Sequence, residues 1–262
     1  MKNIVFAAAA LLGAVACQQP QSSLEFPKGQ WIDLSYAFDE NTVYWPTAEG
    51  FRLDTVFAGI TDSGFYYTAF QYCAAEHGGT HLDAPIHFAE GKQTMDAIPL
   101  EQLIGGGVVV DVSEQAESNP DYQITTVDFL AWEEKNGRLP EGAIVLLRTG
   151  YGRFWPDRAR YMGTAERGPE AVAKLHFPGL HPDAAEWLVS ERKIKAIGLD
   201  TPSIDYGQST LFESHQILFE QNIPAFGNLA NLEQLPESGF WVIALPMKIK
   251  GGSGGPLRIV AL

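Results

Sequence analysis

Three of the six histidines of this chain stand within eleven residues and share that stretch with an aspartate. The stretch reads His77-Gly-Gly-Thr-His81-Leu-Asp83-Ala-Pro85-Ile-His87. The paired glycines and Pro85 oppose a helix, so we expect an extended strand or loop. Because side chains alternate along an extended chain, His81, Asp83 and His87 are predicted to point to one side, and the flexible glycines let His77 turn towards them. The pattern therefore predicts imidazoles and a carboxylate around one point.

This set of donor atoms indicates a metal site. Imidazole nitrogens and carboxylate oxygens are suitable ligands for Zn²⁺, Mn²⁺ or Fe²⁺. A divalent ion with open coordination positions lowers the pKa of bound water and polarises a carbonyl group. The competing interpretation is that hydrogen bonds hold these histidines in the core or at the surface, as is usual for a single histidine. Three histidines and an aspartate at this spacing favour the metal site.

The same stretch resembles the signature of the cyclase-type metal-dependent hydrolases, the family of bacterial kynurenine formamidase and isatin hydrolase. That signature, His-x-Gly-Thr-His-x-Asp-x-Pro-x-His, is matched at every fixed position. Weaker flanking matches extend over nearly the whole chain after residue 28: Asp33-Leu-Ser35, Leu147-Arg-Thr-Gly150, Gly198-Leu-Asp-Thr-Pro-Ser-Ile-Asp205, Ser214-His215 and Pro246-Met-Lys-Ile-Lys-Gly-Gly-Ser-Gly-Gly-Pro-Leu-Arg258. The resemblance implies a single α/β domain of the swivelling β/β/α type, assembled as a homodimer or homotetramer.

The resemblance also implies that His77, His81 and Asp83 bind a metal. It implies that His215 is either a further ligand or a residue that supports one. One departure bears on the number of ions. Family members with two metals carry a glutamate twelve residues after the histidine that matches His215, and Gly227 stands at that place here. We therefore predict one divalent transition ion, zinc or manganese, per chain. Two glutamates of the adjacent predicted helix could replace the missing carboxylate, although helix glutamates are usually solvated: Glu213 and Glu220.

The predicted reaction is hydrolysis of a small amide, a cyclic amide of the isatin type or an N-formyl aromatic amine by metal-activated water. The resemblance implies that His87 moves a proton from the attacking water to the leaving group, which is general acid–base catalysis. It also implies that Trp45 contacts the substrate. Further aromatic residues could extend that contact: Phe65, Tyr66 and Phe88. The alternatives are a lactone hydrolase and a non-catalytic metal- or ligand-binding lipoprotein that keeps the fold.

Other motifs carry weaker signals. The Gly251–Gly255 stretch matches the Gly-x-Ser-x-Gly pattern of serine hydrolases, but no acid or histidine follows it, so we interpret it as a turn that could touch the pocket or a subunit interface. His176 and His181 are interpreted as structural or surface residues. Three polar residues after a predicted strand admit either an active-site role or a turn and capping role: Asp200, Ser203 and Asp205.

The elements that must position these residues alternate between strands and helices. Short β-branched apolar runs predict four buried strands: Gly107–Asp111, Ala143–Leu147, Ile194–Gly198 and Phe240–Leu245. Capping residues and Pro182 predict three helices: 126–134, 182–192 and 214–219. The alternation predicts an α/β fold with a mixed β-sheet and flanking helices.

Charge limits the class of partner. The chain has 18 Lys and Arg against 32 Asp and Glu, for a net charge of -14. Such a protein repels nucleic-acid phosphates, so we expect a small-molecule substrate and no nucleic acid. Only two cysteines are present, which is too few for a disulfide scaffold, and Cys73 is predicted to be a buried thiol.

The N-terminal residues predict export and a lipid anchor. Lys2 precedes an apolar run that ends in small residues before Cys17, an order that resembles a bacterial lipobox. Secretion without a lipid is the alternative. We expect the protein in the cell envelope, facing the periplasm or the exterior, with the membrane contacted only through lipidated Cys17. The predicted segments are a signal peptide, a lipid-anchored flexible tether and a hydrolase domain: 1–16, 17–28 and 29–262.

Overall fold

The computed structural model describes residues 29–262, so the predicted signal peptide and tether lie outside the described residues. Twelve strands are present in this range: β1 Ile32–Asp33, β2 Arg52–Ile60, β3 Tyr66–Cys73, β4 His81–Asp83, β5 Ile104–Asp111, β6 Gln123–Ile124, β7 Ile144–Arg148, β8 Gly179–Leu180, β9 Ala196–Leu199, β10 Ala225–Gly227, β11 Ser238–Pro246 and β12 Gly254–Ala261. The α-helices of this range are short: α1 Leu100–Leu103, α2 Ser113–Ser118, α3 Thr126–Asn136, α4 Arg158–Met162, α5 Pro169–Val172, α6 Pro182–Trp187 and α7 Glu213–Glu220.

The central sheet has eight strands in the order β1-β12-β11-β5-β7-β9-β10-β4. Strands β5, β7, β9 and β10 run parallel, and the other pairings are antiparallel. Strand β4 also pairs with β12, so the sheet closes on itself at this point. The predicted mixed sheet with flanking helices is thereby confirmed.

Both faces of the sheet are covered by apolar cores. In β7, Ile144 and Leu146 belong to one buried cluster, while Val145 and Leu147 belong to the other. A strand buried on both faces is apolar at every position rather than at every second one. This is why the apolar runs predicted the inner strands β5, β7 and β9, with bounds that shift by one to three residues.

The three predicted helices are present with small differences at their ends. Thr125, rather than Thr126, caps α3, and it forms a capping box with Asp128. The helix that starts at Pro182 ends as an α-helix at Trp187 and continues as a π-helical turn over Leu188–Arg192. Helix α7 extends one residue beyond the predicted range at each end.

The long hairpin formed by β2 and β3 was not predicted. Its strands pair with each other and, within residues 29–262, with no other strand. Most of its side chains are exposed on both strands. Cys73 ends the hairpin with its thiol exposed, so the prediction of a buried thiol is wrong. Among the described residues, no helix is long and apolar enough to cross a membrane.

Candidate metal centre and active site

Strand β4 brings two of the predicted ligands to the point where the sheet closes. His81 pairs with Gly227 of β10 on one side and with Pro256 of β12 on the other. Asp83 is likewise held between β10 and β12. Because the two residues are two positions apart in a strand, their side chains project from the same face. Both side chains are buried. The strand conformation of β4 confirms the extended segment that was predicted here.

His77 and His87 approach the same point from the two ends of β4. The backbone of Gly78 forms an isolated bridge with Tyr44, which leads His77 in towards Asp83. His87 ends a 3₁₀ turn over Pro85–His87 and is not in extended chain, contrary to expectation. The turn folds its ring back onto that of His77, with centroids 3.8 Å apart and planes within 17°. The predicted convergence therefore holds, although the local geometry differs.

His215 reaches the cluster from α7. The carboxylate of Asp205 accepts the backbone N–H groups of Ser214 and His215, at 3.0 and 3.3 Å, at the start of this helix. It also accepts the Nδ1–H of the His215 ring at 2.5 Å, which leaves Nε2 facing Asp83. Asp205, one of the three polar residues left open by the sequence, thus supports a site histidine.

The carboxylate of Asp83 is the centre of the cluster. Its Oδ1 lies 2.5 Å from Nδ1 of His77 and 3.1 Å from Nε2 of His81. Its Oδ2 lies 3.6 Å from Nε2 of His215. Ligand atoms of His77, Asp83 and His87 all lie within 4.8 Å of one another, so His87 is also close enough to bind an ion.

These residues fit a divalent transition ion. Three imidazole nitrogens are directed at one buried carboxylate, and nitrogen and oxygen donors of this kind suit Zn²⁺ and Mn²⁺. The Nδ1–H of His81 donates to the carbonyl of Gly79 at 2.9 Å, which keeps Nε2 free on the side of Asp83. Metal-binding histidines are usually anchored in this way through their second nitrogen.

The cluster controls the charge of its own members. Burial would raise the pKa of Asp83, but the imidazoles of His81 and His77 hold it well below its usual range. Burial would lower the pKa of His215, but the carboxylates of Asp205 and Asp83 raise it to about 9. Burial lowers the pKa of His87 to about 4. His87 is therefore neutral near pH 7.

A cavity of about 310 Å³ opens onto this cluster, and all six predicted site residues line it. One wall of the cavity is aromatic: the ring of Phe212 lies 6.3 Å from that of Trp45 and 5.4 Å from that of Phe88. Phe65 and Tyr66 belong to the exposed end of the hairpin and do not line this cavity, so the expectation that they could contact substrate is not supported.

Phe212 was missed by sequence reasoning, and its backbone is unusual. It has φ 52° and ψ 44°, the left-handed conformation, directly before α7. For a bulky residue this conformation costs about 1–3 kcal/mol and persists only where the surroundings enforce it. The available signal was an aromatic residue three positions before His215, which is weak by itself.

The other candidate residues lie outside the cluster. Asp200 accepts hydrogen bonds from the backbone of Thr149 and Gly150 and so has a turn role. Ser203 lines the cavity. The remaining histidines are structural, as expected: His176 pairs with Asp121 and His181 caps α6. Two glutamates offered as substitute ligands are exposed to solvent: Glu213 and Glu220.

Gly227 is in direct contact with the cluster. A Cβ atom at this position would lie 2.6 Å from Cε1 of His81, which is too close for two carbon atoms. The absence of a side chain at Gly227 therefore leaves the space that the His81 ring occupies. A carboxylate could enter at this position only if the His81 imidazole moved.

Comparisons with known proteins agree with this geometry. The model of the Cyclase family matches residues 32–206, which is more than half of the chain. The chain belongs to the Cyclase family. The isatin hydrolase of Roseibium aggregatum is 36% identical over 195 residues, covering 71% of this chain and 72% of that protein. A kynurenine formamidase of Bacillus cereus is 28% identical over 232 residues, covering 88% of this chain and 96% of that protein.

Among solved structures, isatin hydrolase A from Labrenzia aggregata, bound to benzyl benzoate, gives a TM-score of 0.79 at 32% identity. The match covers 88% of this Cyclase-family chain and 93% of that one. The predicted family and fold are confirmed. The predicted enzyme class, a metal-dependent hydrolase of small amide C–N bonds, is confirmed as well. The roles of the individual site residues stay predictions.

Replacing Gly227 with alanine is expected to displace the His81 ring and to weaken metal binding about tenfold or more, because the new Cβ would occupy its place. The measurement is a competition titration with Zn²⁺, with circular dichroism to verify folding. Gly106→Ala is the matched control, since a Cβ there meets nothing within 4 Å. Equal affinities in a folded Gly227→Ala variant and the wild type would contradict the prediction.

Proposed function

We propose that this chain hydrolyses a cyclic amide fused to an aromatic ring, of the isatin type, with one zinc or manganese ion per chain. The observation that carries the proposal is the cavity that joins the Asp83 cluster to the aromatic wall of Trp45, Phe88 and Phe212. Flat aromatic rings pack well against such walls, and a small apolar cavity with a few polar groups is the usual form of a ligand site.

Two further observations support the cyclic amide over the N-formyl amine. The relative named isatin hydrolase is 36% identical to this chain, whereas the kynurenine formamidase from Bacillus cereus is 28% identical. Gly227 supplies no carboxylate where the two-metal family members carry one, and the candidate glutamates on α7 are solvated. The lack of a carboxylate at these positions supports a single ion held by His77, His81, Asp83 and His215.

In this proposal, His77, His81, Asp83 and His215 would hold an ion, which when bound would supply Lewis-acid chemistry that polarises a carbonyl and lowers the pKa of water. His87 lies on the cavity wall beside the cluster, where it would accept the proton of that water. The same imidazole would return the proton to the leaving nitrogen as the C–N bond breaks. Trp45 and Phe212 would hold the aromatic ring of the substrate so that the substrate carbonyl faces the cluster of imidazoles around Asp83.

The test compares isatin, N-formylkynurenine and an aromatic lactone as substrates for the purified wild type and two variants. Isatin is expected to give the highest kcat/KM. His81→Ala is expected to lose both turnover and bound metal. His87→Ala should keep much of its metal and lose about 10²- to 10⁴-fold in turnover, as is typical for removal of a general acid–base group. Metal content is measured by elemental analysis.

Each outcome of this comparison is informative. A preference for N-formylkynurenine would indicate that the substrate is an N-formyl aromatic amine rather than a cyclic amide. Full turnover in His87→Ala would remove that residue from the mechanism. A wild-type protein that binds metal and turns over none of the three substrates would favour a non-catalytic binding protein.

The hairpin supports a proposal about assembly, in which its apolar face pairs with a second copy of this chain. Side chains alternate between the two faces of the hairpin, and one face carries large apolar residues that are 50–67% exposed: Leu53, Ile60, Tyr66, Phe70 and Tyr72. The opposite face carries the exposed Arg52–Asp54 ion pair at one end and the exposed rings of Phe57 and Tyr67 further along. A two-stranded hairpin is marginally stable by itself, so its apolar face needs a cover.

Area and symmetry favour a second copy as that cover. Half-exposed aromatic side chains of about 150–250 Å² each offer several hundred Å², which approaches the roughly 800 Å² per partner of a standard interface. The patch continues to Met247, whose sulfur lies 3.3 Å from the Tyr72 hydroxyl. Two copies related by a two-fold axis would cover both patches at once. The net charge of -14 disfavours an anionic lipid surface as the cover.

Phe70→Glu is therefore expected to shift the chain from residue 18 onwards towards monomer, because a charge would be placed in the apolar contact. Light scattering after size-exclusion chromatography measures the mass in solution. The matched control is Gln71→Glu, at the adjacent exposed residue on the opposite face, which should leave the mass unchanged. A monomeric wild type would refute the second copy, and binding of that monomer to neutral lipid vesicles would identify a membrane as the cover.

We propose that Cys17 carries a lipid that anchors the protein in the cell envelope, facing the periplasm or the exterior. The support comes from the order of charged, apolar and small residues before Cys17. Cys17→Ser is expected to release the expressed protein from the membrane fraction and to abolish the mass added by acylation. Mass spectrometry of the mature N-terminus measures this, with Cys73→Ser as the control. An unmodified residue 17 in the wild type would rule out the anchor.

A further inference from the structure

The glycine-rich turn at 251–255 contacts the metal cluster through Ser253. The hydroxyl of Ser253 lies 3.0 Å from Nε2 of His77. The same hydroxyl donates to Oε2 of Glu76 at 2.5 Å, and the backbone N–H of Ser253 donates to that oxygen at 3.1 Å. His77, Ser253 and Glu76 therefore form a short hydrogen-bonded chain on the side of the imidazole that faces away from Asp83.

The hydrogen bonds among these three residues determine whether Nε2 of His77 carries a proton. A serine hydroxyl has one proton, and here that proton is donated to the Glu76 carboxylate. The Ser253 oxygen is then an acceptor for His77, so Nε2 of the ring carries a proton. Nδ1, which is hydrogen-bonded to Oδ1 of Asp83 at 2.5 Å, is then the nitrogen left to bind an ion.

The glycines of the turn allow this approach. A Cβ at Gly254 would lie 2.5 Å from Cε1 of His77, and a Cβ at Gly252 would lie 2.8 Å from Oε1 of Glu76. The turn is also fixed from behind, because the carbonyl of Ser253 accepts the N–H of Ala84 at 2.8 Å. The serine is therefore held at a constant position relative to β4 and its ligands.

We propose that Ser253 and Glu76 are positioning residues that set the tautomer and orientation of His77 and thereby the metal affinity of the cluster. The inference rests on the metal site of the proposed function, but not on the identity of the substrate. His81 and His215 are anchored through the carbonyl of Gly79 and the carboxylate of Asp205, respectively. The pair formed by Ser253 and Glu76 gives His77 the corresponding anchor.

The test measures metal affinity by competition titration with Zn²⁺ and with Mn²⁺ on the chain from residue 18. Ser253→Ala and Glu76→Ala are each expected to weaken affinity about 10- to 100-fold, the usual cost of losing a group that orients a ligand. Because the two residues act in series, the double variant should be no weaker than Ser253→Ala alone. Glu76→Gln, whose amide oxygen can still accept from Ser253, should recover most of the affinity. Ser190→Ala, at an exposed serine of the π-helical turn, is the control.

Nitrogen NMR of ¹⁵N-histidine-labelled, metal-free protein reports the tautomer directly. His77, assigned by comparison with His77→Gln, should show a proton on Nε2 in the wild type and a lower occupancy of that proton in Ser253→Ala, where Nε2 has lost its acceptor. Additive losses from the two substitutions, or an unchanged tautomer and affinity in folded Ser253→Ala, would overturn the inference. A wild-type protein that binds neither ion would instead refute the metal site of the proposed function.

Discussion

The carboxylate of Asp83 is buried at the point where the sheet closes, and a buried charge is costly unless groups of opposite or complementary character surround it. The structure supplies those groups as three imidazoles from two separate parts of the chain. His77 and His81 come from the two sides of the glycine pair, and His215 comes from α7. The positions of β4, the segment before it and α7 follow from this requirement, because each must deliver a ring nitrogen to one pair of oxygens.

Each imidazole is held by the group behind it as well as by its contact with Asp83. A backbone carbonyl serves His81, an aspartate that also caps a helix serves His215, and a serine on a glycine-rich turn serves His77. Three anchors from different elements leave the rings little freedom to reorient. This matters for chemistry because a site that is already arranged does not lose free energy to rearrangement during the reaction.

The sequence predicted most strongly what is encoded locally. Asp83 and its neighbours lie within one short motif, and the inner strands β5, β7 and β9 are continuous apolar runs because both of their faces are buried. The groups that support the site were harder to find. Ser253 meets His77 across 176 positions of sequence, and no local pattern encodes such a contact. The hairpin was missed because its alternating apolar residues face outward, so burial in a core could not be used to predict its strands.

Closure of the sheet has a consequence for when the site can exist. The three residues of β4 are held by β10 and β12, so the ligand geometry depends on chain segments more than 140 positions apart. Contacts of that range form late in folding, because the cost of closing a long loop precedes any gain from it. A chain whose β10 and β12 have not yet been synthesised lacks this geometry and cannot select an ion by it. The ion that the protein acquires is then decided by the metals available where folding is completed.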